Sequence, residues 1–306
     1  MNKSGKRTSF TKPGAERNRF TPDRILTFNV SEPATLLSFL FESLSDLKKT
    51  SIKNYLKNGN IAVNGTPVTQ YDTPLSPSDK VQVNLSRPFV IFRNNRVKLV
   101  YEDDDILVVD KGYGLLSVGT GKTNEETAYS ILRDYLKRKN PENKIFVIHR
   151  LDKNTSGLMM FAKNQEAQEA MQHNWNNMVL ERKYVAVVEG IPEPKEGRIR
   201  NYLKQNSVFG VFSVKEPEED AKLAVTRYKT LRTNGGYSTL ELQLDTGRKN
   251  QIRVHMKDLG TPVAGDHKYG GHKSPYKRMA LHASSLRFIH PVTRKALSFT
   301  SVPPFK

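Results

Sequence analysis

The stretch Ile148-His149-Arg150-Leu151-Asp152-Lys153-Asn154-Thr155-Ser156-Gly157-Leu158 concentrates side chains that could do chemistry. One carboxylate, Asp152, stands between the cations Arg150 and Lys153, and two hydroxyls follow at Thr155 and Ser156. Neighbouring positive charge keeps a carboxylate ionised, the state needed by a nucleophile or an electrostatic catalyst. Gly157 lets the chain turn sharply before an apolar strand. The same residues also suit a plain turn in which Asp152 caps the backbone and Arg150 pairs with it. Residue types alone favour that structural reading.

Other chemistry-bearing residues point nowhere as definite. His255, His267, His272, His282 and His290 lie late in the chain, and imidazole is a good metal ligand. They lack the one-turn helical pairing of a zinc hydrolase, and nearby lysines and arginines disfavour a dication, so no metal is expected. "DKGYGLLS" opens like a dinucleotide fingerprint at Gly112 and Gly114, but position 117 is Ser where the third glycine belongs. "GTGKT" (Gly119 to Thr123) imitates a phosphate loop, yet the motif's first glycine would sit at position 116, which is Leu. No nucleotide cofactor is expected.

The elements that must position Asp152 follow from pattern and punctuation. Leu36, Leu37, Phe39, Leu40, Phe41 and Leu44 read as a short apolar helix. Ser51, Ile52, Tyr55 and Leu56 read as a second one, leaving Lys48, Lys49, Lys53 and Lys57 largely to solvent. Ile61 to Val63, the turn Asn64-Gly65 and Pro67-Val68 form a hairpin signal, and Lys80 to Val83 a strand. Beyond Val97, "VKLVYEDDDILVVDKGYGLLS" reads as two strands around an acidic turn. Thr123 with Glu126 makes a capping box for a helix to about Lys139. Strands are expected at 145–148, 183–188, 223–231, 237–244 and 251–255, with a helix over 164–177. In the 251–255 strand, alternation would set Gln251, Arg253 and His255 on one face against Ile252 and Val254. The class is α+β with a mainly antiparallel mixed sheet.

The whole chain, 306 residues, is strongly basic: 49 Lys and Arg face 31 Asp and Glu, a net charge of +18. Such a field favours a polyanionic partner. Zero cysteines exclude disulfide scaffolds, cysteine nucleophiles and thiolate metal sites. No apolar run of membrane-spanning or signal-peptide length occurs, so a soluble cytoplasmic protein is expected. Residues 1–24 carry seven cations against Glu16 and Asp23 and read as a disordered basic arm, either settling on phosphates or merely solubilising.

Two resemblances organise these observations. "IKNYLKNGNIAVNGTPV" and "SPSDKVQV" resemble the S4-type RNA-binding domain, placed at 32–86, which implies RNA contact by Lys53 and Lys57. "HRLDKNTSGLMMFAKN" resembles the signature of the RluA-type pseudouridine synthases. "YEDDDILVVDKGYGLLS", "ERKYVAVVEG", "LDTGRKNQIRVHMKDLGTPVAGDHKYG" and "LHASSLRFIHP" match further family motifs in order, across a catalytic domain at 92–306. The departures are Gly112 where the family usually has Pro, expected to loosen a turn, and Asn250 where many members have His.

The resemblance implies a pseudouridine synthase fold and a cofactor-free isomerisation of uridine in structured RNA, ribosomal RNA first and transfer RNA second. It implies that Asp152 is the essential carboxylate, by covalent attack or by assisting departure of uracil to a glycal. Tyr184 would stack on the base and help take the C5 proton, and Arg253 would pair with Asp152. Arg150 would enter the RNA helix where the uridine leaves. Leu281 would lie against the base, and Lys111 and Arg248 would contact phosphates. A monomer is expected. A non-catalytic RNA-binding or ribosome-assembly protein on the same fold is the alternative.

Overall fold

A computed structural model describes residues 23–119, 125–207, 210–272 and 274–305. The chain divides into two units, Met1–Ile91 and Phe92–Lys306. The basic arm, but for its last two residues, and most of the "GTGKT" stretch lie outside the described residues.

The first unit runs β1 (Ile25–Asn29), β2 (Ala34–Thr35), α1 (Leu36–Ser43), α2 (Lys49–Lys57), β3 (Ile61–Val63), β4 (Thr66–Pro67), β5 (Pro74–Leu75) and β6 (Lys80–Asn84). Four strands form a sheet in the order β1-β6-β3-β4, and β2 pairs with β5. Leu36, Leu40, Ile52, Leu56, Ile61, Val81 and Val83 make its core. Asn64 (φ 50°) and Gly65 (φ 76°) both take left-handed backbone, which is the turn geometry that suits the twist of a two-residue hairpin. Lys53 and Lys57, one turn apart on α2, are both exposed.

The second unit runs β7 (Val97–Glu102), β8 (Ile106–Lys111), α3 (Ala128–Lys139), β9 (Phe146–Val147), β10 (Ser156–Ala162), α4 (Gln165–His173), α5 (Trp175–Met178) and β11 (Val179–Glu189). It continues with β12 (Glu196–Gln205), β13 (Val211–Val214), β14 (Lys222–Asn234), β15 (Tyr237–Leu244), α6 (Gln251–Asp258), β16 (Leu281–Ile289) and β17 (Ala296–Thr300). One sheet of 11 strands follows the order β13-β12-β14-β15-β11-β16-β10-β8-β7, with β17 on β16 and β9 on β10. All pairings are antiparallel except β10 with β16, which meet in parallel over Ser156–His282 and Gly157–Ala283. β10 is buried along its whole length. Its core includes Ile106, Val108, Leu158, Met160 and Phe288.

Three local expectations need correction. The α3 cap is Thr127 with Ser130, one turn beyond the expected box: the Thr127 side chain accepts from the Ser130 amide, and the Ser130 hydroxyl reaches back. Gln251 to His255 is not a strand but the start of α6, closed by Gly260 in left-handed backbone (φ 77°). Five alternating residues fit a strand, but Gln251, Ile252, Val254, His255 and Met256 are all buried, as on a helix packed nearly all round.

Gly112 does not loosen its turn. Its N–H donates to the Arg96 carbonyl at 2.7 Å, a bond proline lacks the hydrogen to make. A Cβ built there would stand 2.7 Å from that same oxygen. Glycine and a close backbone approach go together at this position.

Candidate active site

Asp152 sits in the loop between β9 and β10, held there by backbone and side-chain bonds. Its carbonyl accepts from the Thr155 amide, and Ser117 Oγ exchanges bonds with both the N–H and the C=O of Leu151. After the loop, Gly157 takes φ +111° directly against β16, where a Cβ would lie 2.6 Å from the Ala283 nitrogen. Only glycine gives the backbone that approach.

Arg253 reaches the loop from α6. Residues 251 and 253 of a helix are about 200° apart around its axis. Gln251 and His255 therefore bond toward β14, to Thr226 Oγ1 among others, while Arg253 points the opposite way. Its Nη1 donates to Asp152 Oδ2 at 3.0 Å, and its Nε and Nη2 grip Asp266 at 2.6 and 2.7 Å. Asn250 Oδ1 accepts from Nη1 as well, at 3.1 Å, and Asn250 Nδ2 donates to the Tyr269 hydroxyl. The Tyr269 ring packs under the guanidinium, 4.9 Å from centroid to Cζ. Burial alone would weaken the charge on Arg253, but the Asp266 and Asp152 carboxylates more than reverse this and hold it firmly protonated.

The two carboxylates differ in access. The Asp266 side chain is 2% exposed and spent on Arg253, whereas Asp152 is 29% exposed. Arg253 occupies one Asp152 oxygen, and among the described residues no donor reaches Oδ1. This gives a charged, oriented carboxylate with one oxygen open. Asp266 was missed in the sequence because its role exists only once "AGDHKYG" has folded back onto α6. Asn250, which stands where many members have His, grips the arginine that holds Asp152.

Tyr184 lies on β11 opposite Ala283 of β16. Its phenol is pushed up by burial, pulled down by Arg182 and pushed up again by Asp152, which places both charges around the ring. Leu281 pairs with Ala186 and shares the Tyr184 face of the sheet, almost fully buried. Arg182, two residues before Tyr184, stacks on Trp175 at 5.3 Å, and Trp175 in turn packs on His149 at 5.4 Å. His149 is pushed down to about 3 by burial and by Arg182, so its neutral ring accepts the Met160 amide.

Arg150 and Arg248 are exposed, and Arg248 also ties its Nε to the Leu223 carbonyl at 2.9 Å. Lys111 is no surface phosphate contact. It is fully buried, with Nζ donating to the carbonyls of Gly112, Leu115 and, at 3.4 Å, Lys153. The polar chain atoms inside the second unit need that donor, and the lysine clamps the Asp152 loop to the turn after β8. Burial drives Lys111 down to about 7 from 10.5, partly offset by Asp152. Between those values the unfolded chain binds the extra proton, so folding stability contributed by this site rises with pH. The unfolding free-energy difference between wild type and Lys111→Met should therefore shift toward wild type from pH 7 to 10. The slope should reach up to about 1.4 kcal/mol per pH unit, read by urea denaturation. A difference flat in pH would contradict the burial of this charge.

The late histidines have other partners. His255 bonds Thr226 and Asn201, His290 bonds Asp103, and His282 bonds Ser156 and Ser301. Asp103, Asp105 and His290 do lie close enough together to share an ion. Asp103 is already engaged by Tyr101 and by the amides of Asp105 and Ile106, and Asp105 by Asn164.

The mixed, mostly antiparallel sheet thus carries an aspartate clamped by a buried arginine, close enough to Tyr184 for its charge to act on the phenol. Residues 105–258 match the RNA pseudouridylate synthase family. An uncharacterized RNA pseudouridine synthase, YlyB of Bacillus subtilis, is 34% identical over 87% of this chain and 89% of its own. The ribosomal large subunit pseudouridine synthase D of Xanthomonas campestris is 31% identical over 87% of this chain and 84% of its own. The solved human RNA pseudouridylate synthase domain containing 1 superposes with a TM-score of 0.53 at 26% identity, over 69% of this chain and 84% of that one. The chain belongs to the RNA pseudouridine synthases, in the RluA-type family.

Proposed function

We propose that this enzyme isomerises uridine in structured ribosomal RNA, and that the Asp152–Arg253–Asp266 arrangement carries the reaction. The supporting observation is the asymmetry of its carboxylates: one buried and consumed, the other charged, oriented and open on one oxygen. The isomerisation breaks the bond from uracil N1 to ribose C1′ and makes one from C5 to C1′. The C5 proton leaves and N1 gains one, so the elements balance with no co-reactant.

In this reading Asp152 Oδ1 faces the reacting nucleotide, while Arg253 holds Oδ2. Covalent attack and assisted departure to a glycal both need this carboxylate ionised. Tyr184 walls the base, its phenol kept protonated by burial and by the Asp152 charge. Leu281 backs the same face. Arg150, exposed at the loop, fills the gap left by the extruded nucleotide, since unstacking a base costs a few kcal/mol that an inserted guanidinium partly restores. Arg248 touches the backbone.

The ribosomal target is supported by the similarity to a ribosomal large subunit synthase and by the net charge of +18. The first unit is read as an S4-type RNA-binding module, with Lys53 and Lys57 on the RNA side of α2 and Ile52 and Leu56 on the core side. Among the described residues no helix is long and apolar enough to cross a membrane. We place the enzyme in the cytoplasm, acting as a monomer without metal or nucleotide. Mapping pseudouridine in ribosomal and transfer RNA from cells without the gene, then adding purified enzyme back, tests the target. Loss and restoration at a ribosomal position is the expected result; a change confined to transfer RNA would overturn the ribosomal assignment.

A further inference from the structure

A cavity of about 400 Å³ adjoins the site at Arg253. Its walls include Tyr113, Asn154, Arg253, Lys277, Arg278 and Met279. Asp152 and Tyr184 are not among its lining residues, but Arg253, which holds Asp152, is. Of the carboxylates, only Asp266 lines it, and Asp266 is consumed by Arg253.

Arg278 is the unusual residue here. Its guanidinium lies against two rings, 4.5 Å from the Tyr113 centroid and 5.5 Å from that of Phe305. Nε donates to the Met279 carbonyl at 3.2 Å, and Nη2 to Ser156 Oγ at 2.6 Å and weakly to the Leu281 carbonyl. No carboxylate pairs with it among the described residues, and none of their acceptors reaches Nη1. A half-buried guanidinium normally finds a counter-charge, because taking an unpaired ion out of water is costly. The cost is visible here: burial lowers the basicity of Arg278, with only Tyr113 opposing.

The cation is also held stiffly. Ser156 Oγ, its partner, bonds His282 Nδ1 at 2.9 Å, and His282 Nε2 bonds Ser301 Oγ, which donates to Asp110. Ser156 lies four residues after Asp152, so the orientation of Arg278 is tied to the catalytic loop. A rigid, uncompensated fork facing a basic cavity suits a phosphate, whose oxygens match guanidinium geometry. Lys277, exposed beside it, is held in left-handed backbone (φ 54°) and lines the same cavity.

We infer that Arg278 binds a non-bridging oxygen of the phosphodiester flanking the target uridine, and so fixes the nucleotide against Asp152. This rests on the synthase reading above and adds a strand-positioning contact to it. The alternative is that Arg278 only staples Ser156 to the start of β16.

A substrate-charge cycle separates the two. An RNA hairpin around the mapped uridine is made with natural linkages, or with one neutral methylphosphonate on its 5′ or its 3′ side. For wild type, one of the two replacements should raise KM about 10- to 100-fold, the range of a hydrogen bond to a charged group, with kcat little changed. Arg278→Gln should show a similar loss on the natural hairpin and no further loss on that methylphosphonate. Equal penalties in wild type and variant at both linkages would overturn the contact. Arg278→Lys, which keeps the charge but not the planar fork, should recover part of the KM loss while remaining sensitive to the linkage; a Lys variant no better than Gln would count for the staple. Thermal melting of each variant reports damage to the fold separately. Wild type that converts no uridine would instead refute the synthase reading, and equilibrium binding of the same hairpins would then decide Arg278.

Discussion

Asp152→Asn is expected to lower pseudouridine formation at least about a thousandfold while leaving RNA affinity within about threefold of wild type. The substitution is nearly isosteric, and Arg253 keeps its two bonds to Asp266, so the loop should hold its place and the melting temperature should move little. What disappears is the negative charge on the open oxygen. Neither covalent attack nor electrostatic assistance survives its loss. Single-turnover conversion of the mapped RNA, alongside filter binding at fixed salt, measures both halves. Salt must be held constant because phosphate contacts make affinity fall steeply with ionic strength. Retained turnover would remove Asp152 from the chemistry and return the loop to a purely structural role.

Asp266→Ala is expected to be the costlier change for the fold. It strips both acceptors from Nε and Nη2 of an arginine with little exposure. Breaking a buried pair outright costs about 3–5 kcal/mol; here the remaining Asp152 contact still balances part of the Arg253 charge. Arg253 would then be free to swing onto Asp152 with both ends of its fork, closing the oxygen that the proposed mechanism needs. Activity should therefore fall further than the loss of folded protein explains, at temperatures where the variant is still folded. Asp266→Asn should restore part of the stability by accepting at least one of the two bonds. Urea unfolding and turnover at low temperature would show the two losses separately. If Asp266→Ala were as stable and active as wild type, the buried carboxylate would not be what orients Arg253.

The sequence showed the reactive loop more clearly than its supports. "HRLDKNTSG" is local, so its residue types and its glycine could be read without knowing what packs on them. Asp266, by contrast, gains its meaning only across a turn in space, and "AGDHKYG" offers no periodicity to mark it. Gln251 to His255 failed for a different reason: five alternating residues serve a strand or a helix buried nearly all round. Gly260, in left-handed backbone just past Leu259, is a helix stop that the alternation of 251–255 does not take into account. The helix sends Arg253 away from Gln251 and His255, where a strand would have set all three together.

Lys111 teaches the same lesson about charge. A lysine beside a glycine-rich turn in a basic protein reads naturally as a phosphate ligand, yet β8 is buried except at half-buried Asp110 and carries its last residue inward. There the ammonium closes a loop instead. Gly112 was read as an absence of proline, whereas it is a donor that proline could not supply. Neither inward direction nor backbone proximity leaves a trace in residue types alone.

The parallel seam at Ser156–His282 and Gly157–Ala283 has a temporal consequence. During synthesis the loop bearing Asp152 emerges long before the strand it must be stitched to and before Ser301, which completes the Ser156–His282 hydrogen-bond chain. At 5–20 residues per second the interval from Gly157 to Ser301 is roughly 7–30 s. A nascent chain thus carries its Asp152 loop without its seam partner until β16 and Ser301 have been made.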